Sequence, residues 1–357
     1  MKKFTLKSVL AIILLSLGIQ FVGCDSKTRT VQKTTPVIVA EQINAIPTYR
    51  EPIVFITGVD NNTSSFYKGA KTYFEDKQFE IITEAYSLEE VVLWLNNNFD
   101  ERLYTDIHIV SKNNFWKGMS LETTVEGKAI TSGSLINELS KGSFPKLKAV
   151  ITEDTNIVFH SSELSTNKTL IKVFKNILSA DVSPNIITSP HYTIFGGQFS
   201  PYYLAKPYYG FYPTAKSPGK VDLSKEFAKK YPNEKEVDWY SALNNEDERF
   251  VGDAYTTQFN IPVEFKFTYD GEEEVPYFEN AKEIITWISE NEELSNKMKV
   301  YNIPLNKFRW NSKTTKDKLI IKGITTALCV LKPIIKPYGN LEHMAPEIDN
   351  LRLYVVD

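Results

Sequence analysis

The chain has 357 residues, with 41 basic side chains against 44 acidic ones, a net charge of −3 and 42% hydrophobic content. That length and apolar fraction suit a folded body of one large domain or two of ordinary size and exclude a disordered coat. The weak acidity argues against nucleic acid as a partner, since phosphate binding needs a basic surface.

Taken in chain order, the first seven residues carry Lys2, Lys3 and Lys7, and Ser8 to Val22 is almost wholly apolar. The run is too short and wrongly flanked for a transmembrane helix. It closes on Phe21-Val22-Gly23-Cys24, which resembles the lipobox of bacterial lipoproteins. That resemblance implies a leader at 1–23, cleavage before Cys24, and a diacylglycerol on its thiol. Of the 41 basic residues, Lys2, Lys3 and Lys7 then leave, so 38 face 44 acidic ones, a net charge of −6. Membrane attachment must therefore come through the lipid anchor. The expected location is the cell envelope, with the outer membrane favoured, on its periplasmic face or surface. Residues 24–50, rich in Thr, Lys and Gln, read as a tether. With Cys24 acylated, Cys329 is the remaining thiol and has no partner for an intramolecular disulfide.

From Pro52 onward, strand and helix alternate. The apolar patterning predicts strands at Pro52–Val59, Phe79–Tyr86, Asp106–Ser111, Asn156–His160 and Asn185–Ser189. Helices are predicted at Ser64–Asp76, from Ser87 to about Phe99 behind the capping box Ser87-Leu-Glu-Glu90, at Ser134–Lys141, and at Asn167–Ala180. Trp116–Gly133 reads as a small hairpin insertion. Strands that are apolar along their whole length and separated by helices imply a parallel sheet covered on both faces.

After Pro190 the alternation breaks. Tyr192–Tyr212 packs nine aromatics with Pro201 and Pro207, which argues against regular helix. Helices are predicted at 222–231, 237–244 and Asn280–Asn291, and strands at Ile261–Tyr269, Leu305–Trp310, Leu319–Leu331 and Leu351–Val356. Cys329 falls inside an apolar stretch and reads as a core cysteine.

In a parallel α/β sheet, ligands gather beyond the carboxyl ends of the strands. Two ends stand out, Ile107-His-Ile-Val-Ser-Lys-Asn113 and Ile157-Val-Phe-His-Ser-Ser-Glu163. With the helix spacing between them, they resemble the caspase-like fold of caspases, gingipains and clostripain. There the first strand ends in a His-Gly pair and the second in a small residue followed by the nucleophilic cysteine. Carried over by position, Lys112 stands for the histidine, Asn113 for the glycine, Ser161 for the small residue and Ser162 for the cysteine. The resemblance covers roughly residues 52–195 and implies a pseudoenzyme, because neither nucleophile nor base remains. A surrogate Ser162–Lys112 dyad would need a lysine dry enough to be neutral near pH 7, far below its reference of about 10.4. The neighbouring Asn113, Asn114 and Lys117 argue for wetter surroundings.

His160 precedes the serine pair and is read as a satisfied strand-end histidine, with a role as base to Ser162 the lesser alternative. His108 reads as a core histidine, while His191 and His343 stand in loops without evident partners. No spacing suits a metal, and Glu246-Asp247-Glu248 and Glu272-Glu273-Glu274 read as solvated turns. No phosphate loop or dinucleotide fingerprint occurs, so neither a cofactor nor a nucleotide is expected. Tyr202, Tyr203, Tyr208 and Tyr209 are candidates for gripping a glycan or partner protein, against the competing reading that their rings fill a junction.

The expected architecture is a caspase-like α/β body at 51–215, with a largely parallel sheet flanked by helices, and a β-rich α+β region at 216–357. The expected function is a membrane-anchored, non-catalytic binding or scaffold lipoprotein, with an envelope protein or a glycan as partner. The alternatives are a serine hydrolase using Ser162 and Lys112, and a structural component of an envelope complex.

Overall fold

The apolar runs of the first half become parallel strands because the segments between them are long enough to cross over the sheet as helices. The computed structural model describes residues 49–357, apart from 59, 61–63 and 272. The leader, Cys24 and the tether as far as residue 48 lie outside the described residues. Among the described residues no helix is long and apolar enough to cross a membrane.

In chain order the first half runs β1 (Tyr49–Arg50), β2 (Ile53–Ile56), α1 (Ser65–Asp76), β3 (Glu80–Ile82), α2 (Leu88–Asn97) and β4 (Leu103–Val110). A two-stranded hairpin, β5 (Asn113–Asn114) and β6 (Gly118–Met119), follows, then α3 (Ser132–Ser140), β7 (Ile151–His160), α4 (Lys168–Ile177) and β8 (Asn185–Thr188). The second half holds β9 (Tyr192–Phe195), β10 (Tyr202–Pro213), α5 (Lys220–Lys230), α6 (Trp239–Asn244), β11 (Tyr255–Thr268), α7 (Ala281–Glu290), α8 (Glu292–Tyr301), β12 (Arg309–Thr314), β13 (Lys318–Pro333) and β14 (Val355–Val356).

The first sheet has the order β14-β8-β7-β4-β2-β3, with β1 also on β4. Every pairing is parallel except that of β14 with β8. The protein is thus mixed α/β, with a mostly parallel sheet flanked by helices and a separate antiparallel region. The two-residue period sorts side chains to opposite faces. Ile53, Phe55, Ile107, Ile109, Ile157 and Phe159 pack with residues of α2, α3 and α4. Val54, Ile56, Val110 and Val158 pack with Tyr67, Ala70 and Phe74 of α1. The helices form where their signals predict: Ser64 caps α1 by accepting the Phe66 N–H, and Ser87 and Glu90 form both halves of the capping box of α2. Gly69 lets α1 approach β9 closely, since a Cβ there would lie 2.8 Å from the Gly196 nitrogen.

The second sheet is antiparallel, in the order β11-β13-β10-β9, with β12 also on β13. Its faces are covered by α7 and α8 on one side and by α5 and α6 on the other. Several elements differ from the sequence expectation. The aromatic tract forms β9 and β10, and Pro207 is tolerated inside β10 because pairing with β9 ends at Ala205, leaving an open edge beyond. Leu305–Lys307 is a 3-10 turn in place of strand, closed by the Trp310 indole N–H on the Leu305 carbonyl at 2.8 Å. Helix α8 was not predicted: Asn291 ends α7 and caps α8 by accepting the Leu294 N–H, and only Leu294 and Met298 are buried along it. The predicted strand at 351–356 shrinks to β14.

Candidate functional site

The chain steps outward from β2 to β3 and then crosses back to β4 on the other side of β2. Such a reversal opens a crevice beyond the carboxyl ends of the two strands. A cleft of about 720 Å³ lies there, lined by Lys112, Asn113 and Ser162 from the parallel sheet's strand ends and by Tyr192, Glu246 and Tyr255 among others from the second half. The register pairs Val110 with His160, so the two strand ends singled out in the sequence are neighbours.

Those ends are knitted by hydrogen bonds. The Ser161 hydroxyl donates to the Ser111 carbonyl at 2.7 Å, and the Asn113 amide donates to the Ser162 carbonyl at 2.7 Å. The Ser162 hydroxyl oxygen accepts the Thr193 N–H at 3.1 Å, and Ser162 is almost entirely buried. Lys112 turns its ammonium to Asp60 at 2.8 Å, and about 40% of its side chain is exposed. Its backbone N–H donates to the Tyr67 hydroxyl at 2.9 Å. Asn114 folds the β5–β6 hairpin by accepting the N–H groups of Trp116 and Lys117. Gly118 must be glycine there, since its φ is 86° and a Cβ would meet the Ile130 carbonyl at 2.4 Å.

His160 is buried and not aimed at Ser162. Its Nε2 lies 2.9 Å from His108 Nδ1, its Nδ1 lies 3.0 Å from the Tyr202 hydroxyl, and Tyr202 continues to Tyr354 at 2.8 Å. Burial holds both histidines below the ordinary range, His108 at about 4, with His108 adding to the effect on His160.

The tyrosines named as gripping residues are not a surface. Tyr202, Tyr203 and Tyr208 are buried, because both faces of β10 pack on cores even where its edge is open beyond Ala205. Tyr203 hydrogen-bonds Tyr255 at 3.1 Å, and Tyr208 packs edge-on against Trp239. Tyr209 is partly buried and donates its hydroxyl to Glu163. Of the histidines left without partners, His191 has one, its Nε2 lying 3.2 Å from the Arg352 carbonyl. His343 Nε2 lies 2.8 Å from a Glu248 carboxylate oxygen without the alignment of a hydrogen bond, and its ring stacks on Tyr203 at 4.1 Å. The Glu248 side chain is shielded beneath His343, while Glu246 and Asp247 are exposed, as the solvated-turn reading expects.

Glu163 is the residue that sequence reasoning passed over. It follows Ser162 with a left-handed φ of 57°, and burial pushes its carboxyl up to about 7, opposed by the Tyr209 hydrogen bond. Nothing local marks it, since its partner lies on β10. Cys329 sits toward the carboxyl end of β13, fully buried, and burial followed by the charge of Glu163 pushes its thiol up. A reactive thiolate needs the opposite environment. Among the described residues no group of three or more His, Cys, Asp or Glu is placed to hold a metal ion.

Comparison with protein-family models, with curated proteins and with solved structures finds no match to this chain.

Proposed function

We propose that this chain is a lipid-anchored envelope protein with a catalytically silent, caspase-like body, whose strand-end cleft binds a ligand without cleaving it. The observation that carries the reading is the engagement of both chemistry-bearing side chains elsewhere. The Ser162 hydroxyl is almost entirely buried and accepts the Thr193 N–H, and the Lys112 amine pairs with Asp60 and is open to water. A serine nucleophile needs a free hydroxyl beside a base, and a lysine base needs a dry site. The adjacency of β4 and β7 supports the caspase-like assignment, since the resemblance requires the two strand ends to be neighbours.

The lining favours a polar ligand with flat faces, either a peptide segment of an envelope protein or a glycan. Lys112, Lys117 and Asn113 offer donors, Glu246 offers an acceptor, and Tyr192 and Tyr255 offer aromatic surface with polar tips. Treatment of the purified protein with a fluorophosphonate probe, followed by peptide mapping, tests the reading. No labelling at Ser162 and no peptide hydrolysis is the expected result. Stoichiometric labelling at Ser162 that disappears in Lys112→Met would replace this reading with the serine hydrolase.

A further inference from the structure

Away from the strand-end cleft, a second concavity of about 550 Å³ opens between β10, the last turns of α5 and the turn that follows α8. Its floor is aromatic, made by Tyr209, Phe211 and Phe227 around Gly210. Glycine is needed at that point because a Cβ would come within 2.5 Å of the Phe227 ring. The rim carries Lys229, Lys230 and Lys307 against a single carboxylate, Glu226. Lys230 is held in place by the Tyr209 carbonyl at 2.7 Å, with its ammonium 5.2 Å from the centre of the Phe211 ring. Lys307 reaches Glu226 at 3.1 Å, which leaves the rim with an excess of positive charge.

Burial, and then the charge of Lys307, lowers the Lys230 ammonium from its ordinary value. Two ammonium groups that repel one another above an apolar floor are relieved by an anion lying between them. The aromatic floor adds a preference for a flat apolar group beneath that anion.

We propose that this concavity is a binding site for a small amphipathic anion, a flat ring bearing a phosphate, sulfonate or carboxylate. The ring lies against Tyr209 and Phe211, and the anionic group sits between Lys230 and Lys307. The volume falls within the range of about 300–1,000 Å³ common to small-molecule sites. The site is separate from the strand-end cleft and independent of what that cleft binds.

Isothermal titration of the purified chain with 2-naphthyl phosphate, 2-naphthol and inorganic phosphate separates the contributions. One molecule of naphthyl phosphate should bind per chain, about tenfold or more tighter than either half-molecule. Lys230→Gln and Lys307→Gln should each weaken it about tenfold and leave 2-naphthol unchanged, while Lys225→Gln, outside the concavity, changes neither. Rising salt should weaken naphthyl phosphate and not naphthol in the wild-type chain, a readout that stands even where a lysine variant folds poorly. Absence of naphthyl phosphate binding, equal affinity for phosphate ester and naphthol, or an affinity that survives both glutamine substitutions would overturn the proposal.

Discussion

His108 and His160 stack their rings at 5.2 Å, with Nδ1 of the first 2.9 Å from Nε2 of the second, in a core lined by Phe74 and Phe195. Both are held neutral by burial, and their unfolded reference is 6.5. The unfolded chain therefore binds more protons than the folded one below that value. Stability from this pair is fully present above pH 6.5 and is lost as pH falls from 6.5 through about 4. Urea midpoints across that window should drop for wild type and drop less steeply for His108→Gln. Parallel curves for the two proteins would remove the pair from the acid response.

Glu163 acts in the opposite direction. Its carboxyl titrates at about 7 in the fold against a reference of 4.5, so its contribution is complete below 4.5 and disappears as pH rises through 7. Glu163→Gln keeps the shape without the charge. It should be close to neutral at pH 4.5 and more stable than wild type at pH 8 by on the order of 2–3 kcal/mol. Thermal or urea unfolding at the two pH values measures this, and an equal effect at both would show that the carboxyl ionises freely.

Phe159 is fully buried near the carboxyl end of β7 and stacks on Phe174 of α4 at 4.6 Å. Phe159→Ala should cost about 3–5 kcal/mol through lost transfer energy and the cavity left behind. A loss below about 1 kcal/mol in urea unfolding would contradict a close-packed central strand.

Cys24 lies outside the described residues, and its role is tested in cells. Cys24→Ser should abolish incorporation of an alkyne fatty acid and leave the precursor uncleaved. The wild type should stay with membranes at high salt, because two acyl chains anchor stably and independently of charge. Undiminished label in the variant would end the lipoprotein reading.

The strands expected at Pro52–Val59, Asp106–Ser111 and Asn156–His160 were legible because a continuous apolar run between helices is a local signal, whereas the more polar starts of β4 from Leu103 and of β7 from Ile151 were not. The cap at Ser87 was legible for the same reason, since it satisfies backbone groups within a few residues. So the sequence by itself determined the parallel strands and the helices over them, while the pairing of β4 with β7 that brings Lys112 and Ser162 into one cleft was implied only by the resemblance and was decided by the tertiary structure. Nor did the sequence determine what those side chains bond to. The Thr193 N–H on Ser162 and Tyr209 on Glu163 each join positions brought together by separate strands. A buried polar group takes whichever partner the packing delivers, because leaving it unsatisfied costs about 1–3 kcal/mol. Which partner arrives depends on how the antiparallel region seats its strands. That seating put Tyr202, Tyr203 and Tyr208 into the core and left Tyr209 partly buried, in line with the competing reading that these rings fill a junction, and made a reading of Glu163 possible only in three dimensions.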